Sequence, residues 1–303
     1  MARFAPESGG KLKNLYNLSD LSLEEIYGIL DEAEAFRKGA VYTGAQGRIV
    51  ANLFFEPSTR THYSFQTAQL KLGCRILDFQ PGSSSMLKGE TFYDTVKTFE
   101  SFGVDLFVIR HSENAYYEQL TSVNVPFLNA GDGTGNHPTQ SLLDLMTIRQ
   151  EFGHFDGLKI AIVGDVVHSR VAHTNSGVMR RLGMEVYTSG PEQFRDANDN
   201  YIDFDKAVRE MDIIMLLRVQ NERLTEQERM NSDETMQYNR FYGMNRERLA
   251  MMKDKAIIMH PAPFNRGVEL TDEIVECDRS RIFKQVQNGV FVRMAAIKRA
   301  FEE

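Results

Sequence analysis

Cysteine is scarce in this chain: Cys74 and Cys277 are the two present, and neither sits in a Cys-x-x-Cys pair or a Cys/His cluster. That argues against a disulfide framework and for reduced thiols in a cytoplasmic protein. Long hydrophobic runs are missing as well. No apolar stretch approaches the ~18 residues a membrane helix needs, and the opening MARFAPESGGKLKNLYN has no core of signal-peptide length. Positive charge is in deficit, and a formal net charge of −7 argues against a nucleic-acid-binding face. An anionic whole can still hold a cationic pocket. Two phosphate fingerprints are also lacking: GxxxxGKS/T does not occur, and IVGDVVHSR lacks the GxGxxG spacing of dinucleotide sites.

What is present suits a soluble globular protein. A chain of 303 residues, 42% of them hydrophobic, has material for about two domains with separate cores. Ser22 with Glu25 forms a capping box for a helix over 19–38, with Leu23, Ile26, Ile29 and Leu30 at helical spacing. RIVANLFF (48–55), CRILDFQ (74–80), VDLFVIRH (104–111) and VPFLNA (125–130) read as strands. Between them run a helix after Ser58, with Phe65, Ala68 and Leu72 on one face and Gly73 as its stop, and another capped by Thr91 and Asp94. SLLDLMTIRQEFG (141–153) predicts a helix long enough to bridge two domains. LKIAIVGD (158–165), MEVYTSG (184–190), MDIIMLLRVQ (211–220) and KAIIMHPAP (255–263) then repeat the rhythm without a detectable sequence repeat.

Strands alternating with helices predict an α/β fold of two doubly wound domains, each with a central parallel sheet flanked by helices. The expected division is 1–138, an interdomain helix over 139–153, and 154–285. The final helix, with Val290, Met294, Ile297 and Phe301 on its apolar face, is assigned back to the first domain over 286–303.

Ligands of open parallel sheets bind beyond the carboxyl ends of the strands, so chemistry-bearing residues should follow strands. In FFEPSTRT, with Ser58 as N-cap, Thr59, Arg60 and Thr61 fill a first helical turn whose N–H groups and dipole favour an anion. Two hydroxyls and a guanidinium fork would complete a phosphate cradle. An ordinary N-cap beside an exposed arginine fits this run alone equally well. Other segments add Lys88 in SSSMLKGET, Arg110 in VIRH, His137 and Gln140 in NHPTQ, and Arg170 in GDVVHSR. Arg218 and Gln220 follow in LLRVQ, and His260, Ala262 and Pro263 in MHPAPFNRG. His168 and His173 lie five apart, the wrong spacing for two ligands on one helix face, so neither metal nor cofactor is expected.

Taken in order, FFEPSTRT, SSSMLKGET, VIRH, HPTQSLLDL, VGDVVHSR, RVQNERL and HPAPFNRG resemble the catalytic chains of the aspartate carbamoyltransferase family, over essentially the whole length. STRT and HPTQ are common to carbamoyltransferases, whereas RVQ with HPAP is the discriminating combination. The resemblance implies that 1–138 binds carbamoyl phosphate and 154–285 binds L-aspartate. Ser58, Thr59, Arg60 and Thr61 would hold the phosphate with help from Arg110. Thr61, Arg110 and His137 would donate to the carbamoyl oxygen. Gln140 and the backbone carbonyls of Ala262 and Pro263 would accept from its NH2 group. Arg170, Arg218 and Gln220 would take the carboxylates of aspartate. Ser84 and Lys88 would arrive from the neighbouring subunit of a homotrimer, Lys88 reaching the aspartate site. Glu56 and Arg223 resemble a pair that bridges the domains on closure, and the Ala262–Pro263 peptide is expected to be cis. HSR and HPAPFNRG depart from the best-known allosteric enzymes and match bacterial forms that often work as free trimers. A separate regulatory chain is therefore not expected, and higher assembly stays open.

The chemistry of the residues agrees with these roles. A carbamoyl group offers one acceptor oxygen and an NH2 donor, so its site needs donors and acceptors together. Proline supplies a carbonyl without a competing N–H. Two carboxylates match two arginine forks. The expected reaction is direct attack of the amine on the carbamoyl carbon, without a covalent nucleophile. No general base is identifiable, and the phosphate is one candidate for the amine proton. An ornithine carbamoyltransferase would be expected to carry a Cys-bearing HCLP in place of HPAP. A non-catalytic assembly subunit would be expected to have lost part of the anion cluster.

Overall fold

The computed structural model describes residues 12–196, 199–219 and 232–302. Eight strands form two four-stranded parallel sheets. The first holds β1 (Ile49–Phe54), β2 (Arg75–Phe79), β3 (Leu106–His111) and β4 (Phe127–Asp132) in the order β2-β1-β3-β4. The second holds β5 (Lys159–Val163), β6 (Glu185–Ser189), β7 (Ile213–Leu216) and β8 (Ile257–Met259) in the order β6-β5-β7-β8. The same topology thus occurs twice, bearing out the α/β reading. Runs such as IVANLF and IIML are apolar along nearly their whole length, as strands covered on both faces require.

The helices are α1 (Leu23–Arg37), α2 (Thr59–Lys71), α3 (Phe92–Ser101), α4 (Pro138–Phe152) and α5 (Arg170–Arg181), then α6 (Phe204–Glu210), α7 (Ser232–Tyr242), α8 (Arg246–Met251), α9 (Asp272–Val275) and α10 (Ile282–Phe301). The capping box of α1 is present: the Glu25 N–H donates to Ser22 Oγ (3.1 Å) and the Ser22 N–H to Glu25 Oε2 (2.9 Å). That cap starts the helix at Leu23 rather than residue 19, and leaves Leu23 exposed rather than on the buried face. Thr91 caps α3 through the Asp94 N–H, as expected. Gly73 turns the chain out of α2 at φ +75°.

α4 begins at Pro138 rather than Ser141, because a proline in the first turn lacks only an N–H that has no helical partner. It is buried without a break from Pro138 to Ile148, packed by α1, α5 and α10. α10 begins at Ile282 rather than at 286 and packs on α1, α2 and α4. Alternate strand residues face opposite ways. Val50 and Val108 therefore join Ile160 and Ile213 in one core that runs through both halves, while Ala51 and Phe107 fill a separate outer core. Cys74 is buried and Cys277 half-buried; both are free thiols, and burial pushes that of Cys74 up to about 11. Among the described residues no helix is long and apolar enough to cross a membrane.

Candidate active site

A cleft of about 520 Å³ is lined by residues at or beyond the carboxyl ends of β1, β3, β4, β5, β7 and β8. In each sheet the central pair, β1 with β3 and β5 with β7, marks the point where strand order reverses. That is where open parallel sheets leave room for a ligand.

The first half is centred on the start of α2. Ser58 is the N-cap, in extended backbone, and makes no side-chain capping bond among the described residues. Its hydroxyl is not used by its own helix. The first turn carries no acidic residue, so the positive end of the helix dipole is uncompensated from within. Arg60 turns into the cleft, where burial and then the charge of Arg218 lower its pKa. Arg218 follows β7, so cations from the two halves face each other.

Arg110, near the end of β3, donates from Nη1 to the Ala130 carbonyl (3.3 Å), and its Nε lies 3.3 Å from Glu56 Oε2. Arg170, the first residue of α5, is buried and places Nη2 3.1 Å from the same oxygen. Glu56 therefore ties an arginine of one half to an arginine of the other. Both guanidinium groups pass over Gly131 at φ +122°, where a Cβ would lie 2.9 Å from Arg170 Nη1 and 3.0 Å from Arg110 Nη1. Only glycine allows this approach and this backbone together.

His137, the N-cap of α4, has Nε2 3.3 Å from Thr61 Oγ1 and donates its backbone N–H to Thr174 Oγ1 (3.0 Å). Burial, then the charges of Arg110, Arg170 and Arg293, hold its pKa well below the ordinary value. The ring is neutral at pH 7. Gln140 donates from Nε2 to Asp144 Oδ1 (3.0 Å), which leaves its Oε1 as an acceptor for the cleft. Beyond β8, the Ala262 N–H donates to His260 Nδ1 (2.9 Å), so the proton of this second neutral imidazole sits on Nε2. Burial, then Arg60 and Arg218, push the His260 pKa down to about 3. The Ala262–Pro263 peptide is cis, as expected, and Ala262 has φ +53°.

The cleft brings together Glu56, Ser58, Thr59, Arg60, Thr61, Arg110, His137, Gln140, Arg170, Arg218, Ala262 and Pro263. It does not include Ser84 or Lys88. Ser84 caps a short turn and donates to the Pro81 carbonyl (2.9 Å), and Lys88 is exposed at the end of that turn. Gln220 and Arg223 lie outside the described residues. Ser64, Gln285 and Arg293 are polar lining residues that were not anticipated. Arg293 is buried on α10, donates to Ser64 Oγ (2.9 Å), stacks 5.0 Å over the Phe65 ring, and has its pKa lowered to about 9 by burial. Its signal was available in the sequence, since it interrupts the apolar stripe between Val290 and Ile297. Among the described residues five arginines and one carboxylate thus line the cleft, an excess of four positive charges in a chain whose formal charge is −7. Such a site suits reactants that bring several negative charges.

Comparison with known proteins agrees over the whole chain. The family model for the carbamoyl-phosphate-binding domain of aspartate/ornithine carbamoyltransferases matches residues 13–150, and that for the aspartate/ornithine-binding domain matches residues 156–299. Aspartate transcarbamoylase from Trypanosoma cruzi in complex with carbamoyl phosphate is 32% identical, with a TM-score of 0.83 over 95% of this chain and 96% of that one. Its complex with N-(phosphonacetyl)-L-aspartic acid is 31% identical, with a TM-score of 0.84 over 98% of both. The ligand-free form is 29% identical, with a TM-score of 0.79 over 97% of this chain and 98% of that one.

Proposed function

The chain belongs to the aspartate/ornithine carbamoyltransferase family, and on that footing we propose that it transfers the carbamoyl group of carbamoyl phosphate to the amine of L-aspartate, releasing phosphate. The observation that carries this reading is the pairing, among the described residues, of five arginines with a single carboxylate in the cleft. Carbamoyl phosphate and aspartate are both anions that repel each other, and the arginines offset that repulsion. Ornithine carries a second amine where aspartate carries a second carboxylate, and that amine would want an acidic partner. Glu56, the one carboxylate lining the cleft among the described residues, is already held by Arg110 and Arg170.

The phosphate sits at the N-terminus of α2, on Ser58, Thr59, Arg60 and Thr61, with Arg110 beside it. The carbamoyl oxygen faces Thr61, Arg110 and His137. As the aspartate amine attacks the carbamoyl carbon, negative charge builds on that oxygen, and each donor aimed at it lowers the barrier by about 3 kcal/mol. The neutral His137 suits this role, because it donates a hydrogen bond without adding a charge. Gln140 and the carbonyls of Ala262 and Pro263 accept from the NH2 group, and Arg170 and Arg218 bind the aspartate carboxylates. The leaving phosphate takes the amine proton. Aligning both reactants supplies a large part of the acceleration.

The product, N-carbamoyl-L-aspartate, makes this an early committed step of de novo pyrimidine synthesis, carried out in the cytoplasm. Purified protein is offered carbamoyl phosphate with L-aspartate or L-ornithine in turn. Formation of carbamoyl-aspartate alone is expected, and its absence would refute the reading. Ser84 and Lys88 act across the interface of a homotrimer, a reading supported by their position outside the cleft of their own chain. Inactive Arg60→Ala and Lys88→Ala chains, dissociated and reassembled together, should recover activity in mixed trimers. No recovery after confirmed reassembly would mean that each chain completes its own site.

A further inference from the structure

Asp144 lies one turn after Gln140 on α4 and is completely buried. Its carboxylate accepts from three side-chain amides on three helices: Gln140 Nε2 to Oδ1 (3.0 Å), Gln285 Nε2 of α10 to Oδ1 (2.8 Å) and Asn175 Nδ2 of α5 to Oδ2 (2.8 Å). Gln285 in turn accepts the His260 backbone N–H on Oε1 (3.0 Å). A side-chain amide has one accepting and one donating end, and an ionised carboxylate can only accept. Each amide must therefore turn its NH2 to Asp144 and its oxygen away. For Gln140 that oxygen is left to the cleft. For Gln285 it holds the first residue of the turn His260–Pro263.

From this network we infer that Asp144 is a positioning residue that orients both acceptor groups of the cleft, the Gln140 oxygen and the His260–Pro263 turn, toward the NH2 group of the carbamoyl donor. The inference rests on the proposed carbamoyl transfer for the identity of that ligand. Its content is selectivity: the site recognises an amino group beside the carbonyl because one buried carboxylate prevents the amides from reversing. Arg293 is the cation that acts on Asp144, and burial raises the Asp144 pKa to about 6, so the carboxylate is mostly ionised at pH 7 and above. The purely polar role explains why an acid persists on a helix buried without a break, where an unpaired charge would be strongly disfavoured.

Acetyl phosphate is the discriminating probe, because it keeps the phosphate and carbonyl and puts a methyl where the NH2 stands. Asp144→Leu is close in size and removes the oxygen that holds both glutamine NH2 groups, so neither amide is kept from reversing. Dissociation constants for both ligands are measured by calorimetry at low temperature and pH 7.5 on wild type and variant. Carbamoyl phosphate should weaken about tenfold, as expected when a buried polar partner is lost, while acetyl phosphate changes less than about twofold. Equal weakening of the two, or no change in either, would overturn the inference. If Asp144→Leu does not fold, Gln285→Met carries the test, since it cuts the link from Asp144 to His260 and leaves Gln140 bonded to Asp144. The preference for carbamoyl over acetyl phosphate should then fall about threefold, and an unchanged preference would refute the relay. Turnover is scored separately, so an inactive wild-type protein refutes the proposed reaction while the binding ratio still decides the role of Asp144.

Discussion

The two halves of the cleft are made in different ways. The first-domain half is concentrated: Ser58, Thr59, Arg60 and Thr61 are consecutive at one helix N-terminus, joined by Arg110, His137 and Gln140. The second-domain half is dispersed, with Arg170 after β5, Arg218 after β7 and the turn His260–Pro263 after β8. The difference follows from the shapes of the proposed ligands. A phosphate is compact and wants many donors converging on one point, which successive N–H groups of a first turn supply. Two carboxylates separated by a short carbon chain want two forks held apart, and separate loops provide that. Glu56 belongs to neither scheme, since it binds Arg110 on one side and Arg170 on the other.

The contrast is broken most severely at Arg60. Arg60→Ala removes a guanidinium of the proposed phosphate cradle, and kcat should fall about 10³-fold, the loss typical of a donor to developing charge. Steady-state rates on protein of unchanged circular dichroism check it. Arg218→Ala tests the dispersed half. The KM for aspartate should rise about 100-fold, as for loss of a charge-assisted fork, with carbamoyl phosphate affinity nearly unchanged. If both substrates weakened together, the division of labour would be wrong. Glu56→Gln addresses the connection. Without its charge Arg110 and Arg170 are held less firmly, so aspartate KM should rise about tenfold, more than carbamoyl phosphate binding weakens. An unchanged aspartate KM would remove Glu56 from any role in joining the halves.

The same contrast explains what could be read from the sequence. PSTRT is local: cap, turn and anion donors lie within five residues, so one helix start explains them all. Residues after β3, β5, β7 and β8 were legible because an apolar strand followed by an arginine or histidine is a local pattern too. Arg293, Gln285 and Asp144 were not, although all three are buried at the cleft or behind it. Their roles depend on where α10 returns, and helical periodicity says which face is apolar but not what that face meets. The fully buried α4 hid Asp144 for a related reason. A helix covered on all sides offers no polar face against which an interior acid stands out. Helix ends differed where chemistry at the terminus, such as Pro138, carries the chain into a helix before the apolar spacing begins. Ser84 and Lys88 are proposed to act across a contact between chains, about which one chain is silent.

Despite their different construction, each half holds one buried neutral imidazole, His137 in the first and His260 in the second. In the unfolded chain each takes a proton near pH 6.5, whereas in the fold His260 resists it down to about 3 and His137 well below its ordinary value. Protons therefore favour the unfolded state, and stability falls as pH drops below about 6.5, each histidine contributing up to about 1.4 kcal/mol per pH unit. Asp144 acts in the opposite sense, because its pKa is raised to about 6 and protonation relieves a buried charge. A comparison with His260→Gln cancels that contribution, since Asp144 is common to both proteins. Going from pH 7 to 5.5, the wild type should lose about 1 kcal/mol more unfolding free energy than the variant, measured from urea curves. His137→Gln should show a difference of the same sign. If either variant ran parallel to wild type, that histidine would be charged in the folded cleft. The cleft would then carry one more positive charge at pH 5.5 than its five arginines supply.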